Sequence, residues 1–222
     1  MKNILHPLIS TLLIAAFSSH ALDAPYPENA PTMSPGAQLA GDQIAKAALE
    51  RTKVSVTYNN AYRSLSYPGG DVPADEGVCT DVVIRTYRAL GIDLQVLVHE
   101  DMRANFSAYP NHWGLTSTDR NIDHRRVPNL ETFFKRSGSQ LPTNVQKPDV
   151  TSFEPGDIVS WRLPDGLPHI GMVSSERVPD TNRYFIVHNN GHGPRSDDVL
   201  LSNRMMGHYR YLPIVNTSEK GI

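Results

Sequence analysis

Gly77-Val78-Cys79-Thr80-Asp81-Val82-Val83-Ile84-Arg85-Thr86-Tyr87-Arg88-Ala89-Leu90-Gly91 reads as the best-defined helix of the chain. Asp75 and Gly77 supply start signals, Val78 to Leu90 holds no helix breaker, and Gly91 is placed to end the helix in the left-handed conformation. Val83, Tyr87 and Leu90 share one face, which gives the helix a side to bury. Cys79 falls in the first turn, and it is the single cysteine among 222 residues. One thiol makes no internal disulfide and is too few for a cysteine zinc cluster.

Upstream of this helix, Tyr67-Pro68-Gly69-Gly70-Asp71-Val72-Pro73 is dense turn chemistry. Val54, Val56 and Tyr58 alternate with polar residues as in an edge strand or extended arm, and residues 36–51 carry the helix formers of a second helix. Downstream, residues 97–126 are polar and irregular and read as a long surface insertion, followed by a short capped helix from Pro128 to about Gly138. The period then changes. Four short β-type runs, 157–161, 169–173, 184–188 and 208–212, are separated by turn residues. Helices followed by an antiparallel meander predict an α+β domain, a helix packed on a small sheet or open barrel.

Composition narrows the classes. Hydrophobic residues make up 39% and charged residues 20%, enough apolar material for a core. The formal charge of -2 gives no electrostatic case for nucleic acid as a partner. The 17 prolines and 15 glycines follow no period, which argues against a repeat architecture.

The start of the chain has the pattern of an export signal. Met1-Lys2-Asn3 is followed by an apolar run from Ile4 to Phe17 and by Ser18-Ser19-His20-Ala21. That run is shorter than the roughly 20 residues needed to span a bilayer as a helix. Cleavage is expected after Ala21, with residues 22–35 a loose leader and 36–222 a single domain. The mature protein is expected in the periplasm or outside the cell, where an unpaired thiol is a flag for reactivity.

A free thiol is mostly protonated at neutral pH, and a helix N-terminus or an adjacent imidazole shifts it toward thiolate. The place of Cys79 offers the first device. Asp81 opposes it unless it caps backbone donors of the same turn. His169 is the candidate base: it opens a β-run after Leu167-Pro168, with Gly171 and Val173 on its face. His188 or Asn189, at the end of the next run, is placed to fix the imidazole tautomer. In His124-Arg125-Arg126, Arg126 is a candidate to grip a substrate carboxylate, the alternative being a solvated loop.

Six separated motifs carry a resemblance. Tyr67-Pro68-Gly69-Gly70, Gly77 to Val83, His124 to Leu130, Pro155 to Val159, Pro168 to Gly171 and Gly207 to Tyr211 resemble the domain-of-unknown-function 1287 family over roughly residues 40–213. That family is grouped with the NlpC-type, papain-like cysteine peptidases and amidases. The resemblance implies a nucleophile-bearing helix at Cys79 packed against an antiparallel sheet that supplies His169 and a third polar residue at His188 or Asn189. It also implies a tyrosine before a glycine pair that helps hold the oxyanion or substrate, matched at Tyr67. Thr80-Asp81 departs from the Ser-Gly that usually follows the nucleophile, which leaves substrate identity more open than reaction class.

The reading is an exported thiol hydrolase acting on an amide or peptide bond of peptidoglycan stem peptides or cross-links. It needs no cofactor or metal, and a monomer is favoured. Two alternatives remain. One is a non-catalytic cell-wall-binding module with a groove of Tyr58, Tyr62, Tyr67, Trp113 and Trp161. The other is a metal-dependent hydrolase using His188 and His192, against which stand the glycine between them and the absence of an HExxH-type motif.

Overall fold

The computed structural model describes residues 36–142, 144 and 146–215; the export signal expected over 1–21 and the leader over 22–35 lie outside the described residues. Helix α1 (Gly41–Arg51) starts five residues later than the sequence suggests. Its predicted first turn is instead extended, with Gly36 N–H donating to Val215 O and Leu39 N–H to Pro213 O. Glycine is required where α1 begins. A Cβ on Gly41 would lie 2.3 Å from Pro155 O, and one on Gly156, whose φ is +85°, would lie 2.4 Å from Gly41 O. The two backbones touch, which explains why a Pro-Gly pair precedes the first strand of the sheet.

Helix α2 (Cys79–Ala89) begins where the sequence places it. Val78 is the extended N-cap residue, and its N–H donates to Asp81 Oδ2 at 2.7 Å, so Asp81 caps its own turn. Every residue from Cys79 to Tyr87 is buried. This helix lies inside the molecule, packed on α1 and on the sheet.

The expected insertion over 97–126 is only partly irregular. Its first part belongs to helix α3 (Leu94–Ala104), capped by Asp93, whose carboxylate accepts from Gln95 N–H. Leu94, Val98 and Met102 are buried one turn apart, a helical stripe that the charged residues between them hide. A 3-10 turn over Asp123–Arg125 leads into α4 (Val127–Arg136). His124 and Arg125 are buried, so this cluster is no solvated loop.

Two parallel residue pairs join β1 (Thr57–Tyr58) to β2 (Glu76–Gly77), just ahead of α2. The main sheet has five strands, β3 (Ile158–Arg162), β4 (Pro168–Arg177), β5 (Tyr184–Asn189), β6 (Pro194–Asp197) and β7 (Arg204–Tyr209). Their order is β6-β5-β4-β3-β7, antiparallel throughout. Of the expected run at 208–212 only His208 and Tyr209 lie in a strand, which begins at Arg204, and β6 is additional. Ile158, Ile170, Met172 and Val187 pack toward the helices. Val159, Trp161, Val173, Ile186, Leu200 and Met205 form a second apolar cluster. Trp161 is core, and its Nε1–H donates to Leu200 O. The fold is α+β, with the Cys79 helix packed against an antiparallel sheet. None of the described helices is long and apolar enough to cross a membrane.

Candidate active site

Cys79 is the first residue of α2 and is 5% exposed. Three backbone amides, of Ile170, Thr80 and Cys79 itself, favour its anionic form. The first belongs to β4 and is one residue beyond His169. Burial outweighs these donors and pushes the thiol up to about 11, with the nearby Asp81 carboxylate adding to the rise. The expected lowering by the helix N-terminus is therefore overturned: a fraction of a charge at a helix end is smaller than the cost of desolvating a thiolate.

His169, 4% exposed, sits near the start of β4. Burial, with a smaller contribution from the neighbouring His188 ring, lowers it to about 4. The resting centre thus holds a protonated sulfur and a neutral imidazole. Its Nε2 lies 2.8 Å from His188 Nδ1, the rings meeting edge to face at 5.1 Å. His188 Nε2 in turn lies 3.1 Å from Asp197 Oδ2 on β6. His188 is lowered by burial, against which Asp197 acts to raise it.

Gly171 makes this contact possible. A Cβ there would lie 2.7 Å from Ile186 Cγ2 and 3.1 Å from His188 Cβ. Between the two alternatives for the residue next to His169, the geometry selects His188. Asn189 faces the other way and ties β5 to the base of α2, its Nδ2 donating to Gly77 O at 3.4 Å. Both ring nitrogens of His188 have protein partners, so its pairing with His192 as metal ligands is not what the fold builds.

Tyr67 is engaged on α3: its hydroxyl donates to Glu100 at 2.9 Å and its ring meets His99 edge-on. The tyrosine coupled to the site is Tyr58. Burial raises its hydroxyl to about 12, and the charges of Cys79 and Asp81 contribute to that rise. Tyr58 is 41% exposed. Asp81 does not face a substrate; besides the cap, it takes a two-pronged ion pair from buried Arg125 at 2.9 Å on each oxygen. Thr80 Oγ1 donates to the Arg125 carbonyl and fixes this loop under the helix start. Arg126 pairs with Asp123 at 3.2 Å and lies over the Trp113 ring at 4.0 Å, at the wall of a cleft of about 310 Å³ that also holds Met102, Phe106 and Leu115.

Asp197 was not singled out by sequence, and nothing in Pro194-Arg195-Ser196-Asp197 marks a strand. Tyr58 carried a weak signal in the alternation from Val54.

Fold and site together define an α+β protein in which a helix opens on a thiol at the Ile170 amide, and the strand carrying that amide also carries the first ring of an imidazole–imidazole–carboxylate chain. A family model described as "Domain of unknown function (DUF1287)" matches residues 45–211, and the chain belongs to that family. A protein of Escherichia coli strain K12, printed as "Uncharacterized protein YijF", is 48% identical over 200 residues, covering 90% of this chain and 94% of that protein. Among solved structures, an N-acetylmuramoyl-L-alanine amidase from Bacteroides uniformis aligns over 78% of this chain and 98% of its own, at 13% identity and a TM-score of 0.47. NlpC1 from Trichomonas vaginalis aligns over 78% of this chain and 44% of its own, at 16% identity and a TM-score of 0.42. This chain therefore spans less than half of the Trichomonas protein.

Proposed function

We propose that the protein is an exported thiol hydrolase that cleaves an amide bond in the peptide part of bacterial peptidoglycan. One observation carries the reading: Cys79 opens a buried helix at the Ile170 amide, next to a His169 whose Nε2 is occupied by His188. That leaves His169 Nδ1 as the nitrogen for the thiol.

Cys79 Sγ attacks the carbonyl carbon while its proton passes to His169 Nδ1, so the thiolate is formed in step with attack. The backbone N–H groups that open α2 and the Tyr58 hydroxyl donate to the oxyanion. His169 returns the proton to the leaving amine, whose C–N bond breaks to give a thioester at Cys79. Water, deprotonated by the same nitrogen, then releases the acid and restores the thiol. The motif resemblance supports the amide and cell-wall assignment, and the signal-like residues 1–21 support a periplasmic site of action. Arg126, at the wall of its cleft, suits a carboxylate of the stem peptide.

The test is mass spectrometry of peptidoglycan fragments incubated with wild-type and Cys79→Ala protein. New termini at one amide bond, formed only by the wild type, are expected. The near-complete burial of the thiol is the observation that favours a second reading, a binding module. Equal retention of fragments by both proteins with no cleavage by either would select it.

A further inference from the structure

Asp197 stands behind the two imidazoles on the outermost strand of the sheet and has no part in the reaction as written above. We propose that it is a positioning residue that sets which ring nitrogens of His188 and His169 carry protons, so that the nitrogen facing the thiol is the bare one. The inference rests on the reading of Cys79 and His169 as the reacting pair.

Donors and acceptors along the chain fix where the ring protons sit. An ionised carboxylate only accepts hydrogen bonds, so the 3.1 Å contact with Asp197 Oδ2 requires a proton on His188 Nε2. A neutral imidazole has one ring proton, which leaves His188 Nδ1 bare. The 2.8 Å contact between the rings is then a hydrogen bond only if His169 Nε2 donates. A neutral His169 that donates from Nε2 has an unprotonated Nδ1, the form a general base needs. Burial of both rings, which favours their neutral forms, keeps the rule of one proton per ring in force.

Without the carboxylate the chain can run in the other direction. His188 Nδ1 then donates to His169 Nε2, and the proton of His169 sits on Nδ1, facing the thiol proton. Asparagine at 197 favours this reversal because its amide can donate to His188 Nε2. Arg195, also on β6, competes for the same oxygen, its Nε lying 3.4 Å from Asp197 Oδ2. Trp161 on β3 has its ring 6.0 Å from His169, and an indole offers no acceptor.

The test uses full-length protein labelled with ¹⁵N at histidine. Long-range proton–nitrogen spectra are recorded at about pH 8, where both rings are neutral, alongside iodoacetamide alkylation of Cys79. The wild type is expected to show the His169 proton on Nε2. Asp197→Asn, which conserves shape, moves it to Nδ1 and slows alkylation about tenfold, the exposure of Asp197 limiting the loss. Asp197→Ala, a second variant, shows both tautomers. His169 retaining its Nε2 proton in Asp197→Asn overturns the proposal, whatever the alkylation rate. A wild-type thiol inert to alkylation, with the tautomer still reversing on substitution, sinks the hydrolase reading and leaves the role of Asp197 standing.

Discussion

The sheet holds two histidine–carboxylate pairs, and they are built for opposite ends. On β7, His208 Nε2 lies 2.6 Å from Asp157 Oδ2, the Asp157 side chain is 1% exposed, and Arg210 donates to both carboxylate oxygens. The His208 ring is stacked on Phe153 at 4.1 Å. Burial alone would raise the Asp157 carboxyl, but Arg210 and His208 hold it below its usual value. On β6, Asp197 is 38% exposed and His188 connects it to a second imidazole. The first pair ends in a guanidinium and closes the junction of β7 with the loop before β3. The second ends at His169, whose neighbour Ile170 gives its amide to Cys79. A His–Asp pair by itself therefore says little; what lies beyond the imidazole, a guanidinium or a second imidazole, separates the two.

The largest expected contrast is in turnover. Cys79→Ala and His169→Ala each lower cleavage of cell-wall peptides by about 10⁴-fold or more, measured by fragment mass spectrometry, while Cys79→Ala still melts cooperatively. Substitution in the other pair acts on stability instead. Asp157→Ala removes the carboxylate that His208 and Arg210 share, though Arg210 keeps Glu154 at 3.0 Å, and costs about 3 kcal/mol in urea unfolding. The alkylation rate of Cys79 per folded molecule stays unchanged. A loss of thiol reactivity in folded Asp157→Ala would erase the distinction between the pairs.

The pH dependence of stability sharpens the contrast next. Burial lowers His124 to about 3, with Arg88 and Arg125 adding to it, and His169 to about 4. Both are below the ordinary 6.5, so the unfolded chain takes up protons first as pH falls. Their contribution is complete above pH 6.5 and declines until the folded groups titrate near 4 and 3. Between pH 6.5 and 5 the loss is about 2 kcal/mol per imidazole. Urea midpoints measured across that range check it, and His124→Leu is expected to flatten the slope. The depressed Asp157 carboxyl acts later, its contribution fading only as pH drops through its lowered folded value.

The smallest effect is steric. Gly171→Ala places a methyl against Ile186 and His188, costs about 1–3 kcal/mol, and separates the two imidazoles. Alkylation of Cys79 should slow while the His208 pair is untouched.

Legibility in the sequence follows how local the cause of each feature is. The Cys79 helix and the strands containing Ile158, His169 and Tyr184 are marked by their own periodicity and by flanking Gly and Pro. Helix α3 was readable from Leu94, Val98 and Met102 behind the Asp93 cap, but His99, Glu100, Asp101 and Arg103 make its second half polar. Strand β6 has no apolar alternation, since its pairing with β5 is what holds it. Within the site, Cys79 and His169 are marked by local patterns. The selection of His188 over Asn189 depends on strand parity and on the absent side chain at Gly171. The engagement of Tyr67 with Glu100 joins residues 33 positions apart, which no local pattern marks.

Sequence alone determined the helix, the strands around the imidazoles, the family and the identity of the lone thiol, because these are set by periodicity, turn chemistry and residue type. The tertiary structure decided the burial of that thiol, the partners of Tyr67 and the carboxylate behind the imidazoles. Burial, strand parity and long-range pairing are properties of packing between distant segments, and no window of local sequence contains them.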